Sequence, residues 1–331
     1  MKFHSIWNPL LKAMIFGLVA YIIYRHIILR ANFEELYLSF ISSISTSKPI
    51  FLIIAILLMP LNWFLESLKW RKLMLSAGPI SKLLAYKTIF SGISLGIITP
   101  QRLGEYGGRL LTIPAEKNWL SILSTLAGSI SQNIVTLGLG IIGLSLLSMH
   151  TQILNNLLLF PILIAIIVFL SAGIYLFLNV DFVAAILSKL QVKKYFLKFQ
   201  KQYHEFRLIP RAHLAQVLFL SLLRYMIYSS QYMLLIYFLG WNIEWNIMLA
   251  GISTIFLIQS GIPIPPFLGV LARGEIGIVI WSLFEVNELS ILTLTFLIWI
   301  LNLVVPALLG LIVIFNVNII AALGYSENDK T

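Results

Sequence analysis

The chain has no cysteine. Disulfides, thiolate nucleophiles and cysteine-bound metals are therefore excluded. Charge is also scarce: Asp, Glu, Lys and Arg make up 11% of the 331 residues, against 59% hydrophobic. A soluble domain carries roughly 25% charged residues, so this chain cannot cover itself with a polar surface. The five histidines (His4, His26, His150, His204, His213) are scattered without metal-ligand spacing, so neither metal nor cofactor is expected. Acids are the rarer sign, 13 against 23 basic residues. The net charge of +10 would suit nucleic acid. The basic residues flank apolar runs, however, which fits anionic lipid headgroups and argues against a nucleic-acid partner.

Apolar sequence is what the chain has in quantity. Runs at 50–60, 157–178 and 291–314 have the character of bilayer spans, which need about 20 residues. The fold class is an all-α polytopic membrane protein, with residues 1–331 forming a single integral membrane domain. The N-terminus combines Lys2 with an apolar run, as a signal peptide does. Lys12 interrupts the run, and Tyr24-Arg25-His26 offers no small-residue cleavage site, so it reads as a retained first span.

Spans are expected at about 9–29, 49–68, 119–148, 155–178, 212–239 and 289–315, with a polar interfacial segment at 32–47. Pro60 predicts a kink in the second span, and Lys69-Trp70-Arg71-Lys72 reads as a basic-aromatic interface anchor at its end. Residues 182–211 carry seven basic residues against a single acid, Glu205, with Tyr195, Phe199, Tyr203 and Phe206 at helical spacing. That is the pattern of an amphipathic helix on an anionic membrane surface; a solvated loop is the plainer alternative, and both readings are cytoplasmic.

Two apolar segments are broken. In 81–113 the break is Thr99-Pro100-Gln101-Arg102-Leu103-Gly104-Glu105-Tyr106-Gly107-Gly108-Arg109. In 246–283 it is Pro263-Ile264-Pro265-Pro266-Phe267-Leu268-Gly269-Val270-Leu271-Ala272-Arg273-Gly274-Glu275. If both segments crossed fully, there would be eight spans and the basic 182–211 segment would face outward, against the positive-inside rule. If both are re-entrant, six full spans remain. Only Arg25, Arg30 and Lys48 then lie outside, and Arg224 and Arg273 lie at membrane depth. The other eighteen of the 23 basic residues are inside. This topology places both termini in the cytoplasm and the protein in the cytoplasmic membrane. The halves 10–178 and 212–318 then hold breaks of opposite orientation, the pointer to an inverted repeat with a mid-membrane site.

Arg102, Glu105 and Arg109 are spaced to share one helical face, and an arginine fork suits a phosphate diester. Free amides at a helix start after Pro100 would add partial positive charge. Gly104 and Gly108 have the spacing that admits another backbone. The favoured reading is a headgroup-phosphate site; the alternative is an internal ion network that holds the hairpin. For Arg273, ligand contact is evenly balanced against a salt bridge with Glu275 or with a residue of the first motif. Arg224 could touch substrate, but snorkelling to the interface is slightly favoured. Glu66 reads as an interface anchor beside Lys69, and Gln132 and Asn133 as interhelical hydrogen-bonding groups. The tryptophans read as interface belts. Glu105 and Glu275 are the one carboxylate pair an enzyme could use, but no nucleophile, metal or phosphate loop accompanies them.

The order Lys69-Trp70-Arg71-Lys72-Leu73, Thr99-Pro100-Gln101-Arg102-Leu103-Gly104-Glu105 and Pro265-Pro266…Gly269-Val270…Gly274-Glu275 resembles the lysylphosphatidylglycerol synthase transmembrane-region family, the flippase-like half of the multiple peptide resistance factor. The resemblance spans roughly residues 10–315. It implies a lipid flippase domain, with Pro100, Arg102, Gly104, Glu105, Gly269 and Glu275 at its motif positions. The soluble synthase domain is not expected here, so lysyl transfer is not implied. The expectation is a transporter of an anionic phospholipid or isoprenoid-linked lipid, with no catalytic residue. Its binding residues are Pro100, Arg102, Gly104, Glu105, Arg109, Arg224, Pro266, Gly269, Arg273 and Glu275. The alternative is a non-transporting scaffold for a lipid- or glycan-synthesising enzyme. Membrane lipids are the expected partners; a second copy of the chain or a lipid enzyme is left open.

Overall fold

A computed structural model describes residues 2–27, 33–46, 49–99, 102–151, 156–179, 209–261 and 269–322. Among them every regular element is helical. In chain order these are α1 (Lys2–Ile27), α2 (Phe33–Thr46), α3 (Ile50–Leu73), α4 (Lys82–Gly96) and α5 (Gly104–Leu110), then α6 (Asn118–Thr151), α7 (Asn156–Leu178) and α8 (Arg211–Phe238). After these come α9 (Trp245–Gly261), α10 (Gly269–Trp281), α11 (Glu288–Trp299) and α12 (Val305–Phe315), with short α13 (Ile319–Ala322) last. In hydrocarbon every backbone N–H and C=O must find its partner within the segment, which is why apolar runs of this length become helices.

Among the described residues four stretches are long and apolar enough to cross a membrane: Trp7–Arg25, Ile50–Leu73, Ala115–Thr151 and Glu288–Phe315. Leu163–Leu178 and Trp245–Gly261 are shorter apolar helices. Helix α8 has 28 residues, about 42 Å and ample for a span. It falls outside the apolar set because polar groups, Ser221, Arg224, Ser229 and Gln231 among them, interrupt it. Helix α3 runs unbroken across Pro60. The basic segment 182–211 lies almost wholly outside the described residues.

Small residues set the closest approaches. A Cβ on Gly104 would strike the Leu95 carbonyl, and one on Gly108 the Ser91 carbonyl, so α5 lies with its backbone against that of α4. Ser91 reinforces this contact by donating to the Gly108 carbonyl at 2.8 Å. On the other side of α4, Gly310 of α12 meets the Phe90 carbonyl, and Ser94 donates to the Ala307 carbonyl at 2.6 Å. Gly140 and Gly143 let α6 approach Leu257 and Ser253 of α9 in the same way.

The apolar interior is divided in two. One cluster gathers Ile15, Val19, Trp63, Trp70, Ile89, Ile93, Leu214, Trp299 and Leu311; the other gathers Ala55, Tyr232, Leu235, Ile255, Trp281, Ile291 and Leu301. Helix α3, helix α8 and the α11–α12 rod each pass from one cluster into the other. Along α8 the change comes between Val217 and Tyr225; in the rod it comes near Leu301 and Leu303. At that point a five-residue π-helical segment, Ile300–Val304, interrupts the rod. Such one-turn widenings cluster at functional sites because they re-aim side chains.

Candidate functional site

The charged side chains collect where α3, α5, α6 and α8 face one another. Glu66 of α3 sits at the centre, 6% exposed. Its Oε2 receives Lys69 Nζ at 2.7 Å and Arg224 Nη1 at 3.3 Å, and its Oε1 receives Arg109 Nη2 at 3.2 Å. Lys69 is 1% and Arg109 3% exposed. Arg109 also reaches Glu105 Oε2 at 3.5 Å and donates to Thr125 Oγ1 at 3.4 Å. Glu105 pairs in turn with Arg102. Arg224 donates to Gln132 Oε1 at 3.4 Å, and Gln132 donates to the Ser221 carbonyl at 3.3 Å.

The arrangement corrects several expectations. Glu66 and Lys69 do not anchor α3 at an interface; they are buried at the centre of the ion network. Trp70 beside them is 1% exposed and belongs to the core. Arg224 does not snorkel, because Glu66 and Gln132 hold its guanidinium inward, 4.9 Å from the Trp63 ring centroid. Trp63, Trp281 and Trp299 are core residues rather than belt residues. Arg102 lies before α5 and not on it, with φ of 59°. A non-glycine residue is held in that left-handed region only where its surroundings enforce it, and such positions cluster at functional sites. Nor is the start of α5 an open set of amides, since Thr99 Oγ1 accepts from Gly104 N at 2.6 Å.

Beside this network lies a cavity of about 260 Å³. Among the described residues its cationic lining is Arg102, Arg224 and Arg273, with no aspartate or glutamate. Asn62, Gln132, Gln259 and Asn302 add amides, and Trp63, Tyr225, Tyr228 and Phe256 add aromatic surface. Arg102 and Arg224 both lie over the Trp63 ring, a cation–π arrangement that holds two like charges on one side chain. Asn302 reaches the cavity from the π-helical segment and accepts from Asn62 Nδ2 at 3.2 Å. Asn62 Oδ1 and Asn302 Nδ2 have no partner, and neither have the Nε atoms of Arg102 and Arg224.

Of the ten sequence-expected binding residues, Arg102, Arg224 and Arg273 come together at the cavity. Gly104 and Glu105 stand behind Arg102, as contact to α4 and as ion partner. Arg109 is part of the buried network and does not line the cavity. Gly269 begins α10, and Glu275 on that helix is exposed and away from the cavity lining, so it does not join Glu105 in a carboxylate pair. Pro100 and Pro266 lie outside the described residues. The sequence set Glu66 beside Lys69, and the two do pair at 2.7 Å, but it placed them at an interface; Asn62, Trp63 and Asn302 were not expected at the site. The signal for Glu66 was there: a carboxylate seven residues inside the end of a span needs a buried partner. Among the described residues no group of His, Asp and Glu could hold a metal.

Compared with models of known protein families and with curated proteins, the chain gives no match.

Proposed function

We propose that this chain is a multi-spanning membrane protein that moves an anionic lipid across the bilayer, with the arginine-lined cavity receiving the headgroup. One observation carries the reading: three arginines, and no carboxylate among the described residues, line a wet-sized space between two apolar clusters. Charge buried at that depth is costly and functional by default. An unneutralised cationic pocket is suited to an anion that must pass the hydrocarbon. Arginine forks bind phosphate oxygens in a fixed plane, and Asn and Gln amides hold polar headgroup atoms.

Helix lengths support the re-entrant topology with six full spans. Helices α4 and α5, of 15 and 7 residues, rise about 22 and 10 Å; α9 and α10, of 17 and 13 residues, rise about 25 and 20 Å. Each falls short of the ~30 Å hydrocarbon core. The members of each pair pack against one another. One pair brings Arg102, and the other brings Gln259 and Arg273, to the same cavity. Two broken segments meeting at one polar site is the arrangement of inverted-repeat transporters. The resemblance of the two motifs to the flippase-like synthase transmembrane regions points the same way, in a cytoplasmic membrane with both termini inside.

The test is lipid movement in vesicles containing the purified chain, read with a fluorescent anionic lipid and an impermeant quencher. Wild type should equilibrate the lipid between leaflets, and Arg102→Ala should fall to the protein-free rate while keeping wild-type helicity. Full transport by that variant would refute the site. No transport by wild type, with no lipid retained on purification, would favour a scaffold.

A further inference from the structure

The charges around the cavity call for more than a single negative charge. Lys69, Arg102, Arg109 and Arg224 are tied together through two carboxylates, Glu66 and Glu105. Arg273 joins them across the cavity from α10. No described carboxylate lies within ion-pair distance of Arg273, and Tyr228 and Arg102 line the same cavity. Among the described residues five cations therefore face two anions, an excess of three positive charges held between apolar clusters, with Lys69 and Arg109 buried and Arg102 the most open. A surface helix would shed such an excess into water. Here the low dielectric strengthens the repulsion and leaves the bound ligand to balance it.

A phosphate diester brings a single negative charge and leaves most of the excess in place. A zwitterionic headgroup brings no net charge and leaves all of it. A phosphate monoester or diphosphate brings two or three negative charges, and its oxygens are numerous enough to meet three separate guanidinium groups. The cavity volume of about 260 Å³ corresponds to roughly nine water-sized groups, room for a phosphate or diphosphate but not for a large glycan beside it.

We propose that the cavity selects a lipid whose headgroup carries more than one negative charge, a terminal phosphate or diphosphate, over phosphodiester and zwitterionic lipids, with Arg273 as the residue that reads the additional charge. Arg102 and Arg224 are already held by Glu105 and Glu66, so they supply a fixed cradle that any phosphate can use. Arg273 has no such carboxylate partner among the described residues, and its contribution rises with ligand valency. The proposal rests on the headgroup reading above and narrows it.

The experiment is competition against a fluorescent long-chain phosphate bound to the full chain in nanodiscs of phosphatidylcholine. The competitors are a long-chain alkyl diphosphate, phosphatidylglycerol, a phosphatidylcholine analogue and inorganic pyrophosphate. The alkyl diphosphate should compete at least about tenfold better than phosphatidylglycerol, the size expected for one more charge at close range. Arg273→Gln should reduce that ratio to about twofold by weakening the alkyl diphosphate more than phosphatidylglycerol, and Arg273→Lys should restore most of it. Equal competition by phosphatidylglycerol in wild type would overturn the valency proposal and leave the lipid reading standing. Inorganic pyrophosphate matching the alkyl diphosphate would overturn the lipid source of the anion. No specific binding of any phosphate would overturn both.

Discussion

Glu66 carries more of the buried electrostatics than any other described residue. Three cations converge on its two oxygens, from its own helix, from α5 and from α8. Removing one partner from a buried ion cluster is costly because the charges left behind stay desolvated, on the order of 3–5 kcal/mol. Glu66→Gln should therefore lower the unfolding midpoint in detergent far more than Glu275→Gln, which alters an exposed side chain. The check is thermal unfolding of the two variants side by side. A Glu66→Gln protein as stable as wild type would mean that the cations relax to water and that the cluster is not enclosed. Arg102 makes the complementary case: its positive φ and its pairing with Glu105 fix where the guanidinium stands, so its loss should act on lipid movement more than on stability.

The α4–α5 pair depends on which glycine faces which backbone. Gly108 abuts the Ser91 carbonyl and the Gly92 Cα, whereas a Cβ on Gly107 would meet nothing within 4 Å. Gly108→Ala must push α5 away from α4, at a cost on the order of 1–3 kcal/mol. Gly107→Ala should be neutral or stabilising by up to about 1 kcal/mol, because alanine is the better helix former. Melting temperatures of the two variants check this, and equal destabilisation would show that α5 does not lie as described. Because Arg109 is on the same short helix, Gly108→Ala should also weaken the hold on Glu66 and reduce lipid movement together with stability. The π-helical turn is the corresponding device on the α11–α12 rod. It brings Asn302 to the cavity beside Asn62, although the sequence Ile300-Leu301-Asn302-Leu303-Val304 has no proline or glycine to mark it.

Taken together, the helices make a cysteine-free scaffold in which single thiols report unambiguously. The re-entrant topology sets the α4–α5 pair and the α9–α10 pair entering from opposite faces of the membrane. A thiol at exposed Glu116, just past α5, and one at exposed Glu244, just before α9, should then react with an impermeant maleimide from opposite sides of a sealed vesicle. Labelling from the same side would rule out the inverted arrangement and with it the meeting of two opposed breaks at one site. Labelling of the Glu116→Cys variant from the cytoplasmic side would also agree with the positive-inside distribution of lysine and arginine.

Helical class and broken segments were legible in the chain because both are local properties. Apolar run length forces helix formation in hydrocarbon, and proline with glycine marks where it stops. The Arg102–Glu105 pairing and the close backbone approach at Gly104 and Gly108 were readable for the same reason, since those residues are neighbours along the chain. The partners of Arg224 and Glu66 were not readable. They are 158 residues apart, and whether each faces lipid, water or the other depends on the rotation of α3 and α8 about their axes, which is set by packing between helices. Reading each charge with its nearest sequence neighbours made Glu66 an anchor and Arg224 a snorkelling residue. Tertiary packing instead brought both into one enclosed network beside a cavity, because a charge kept from water must find its counter-charge wherever the fold supplies one.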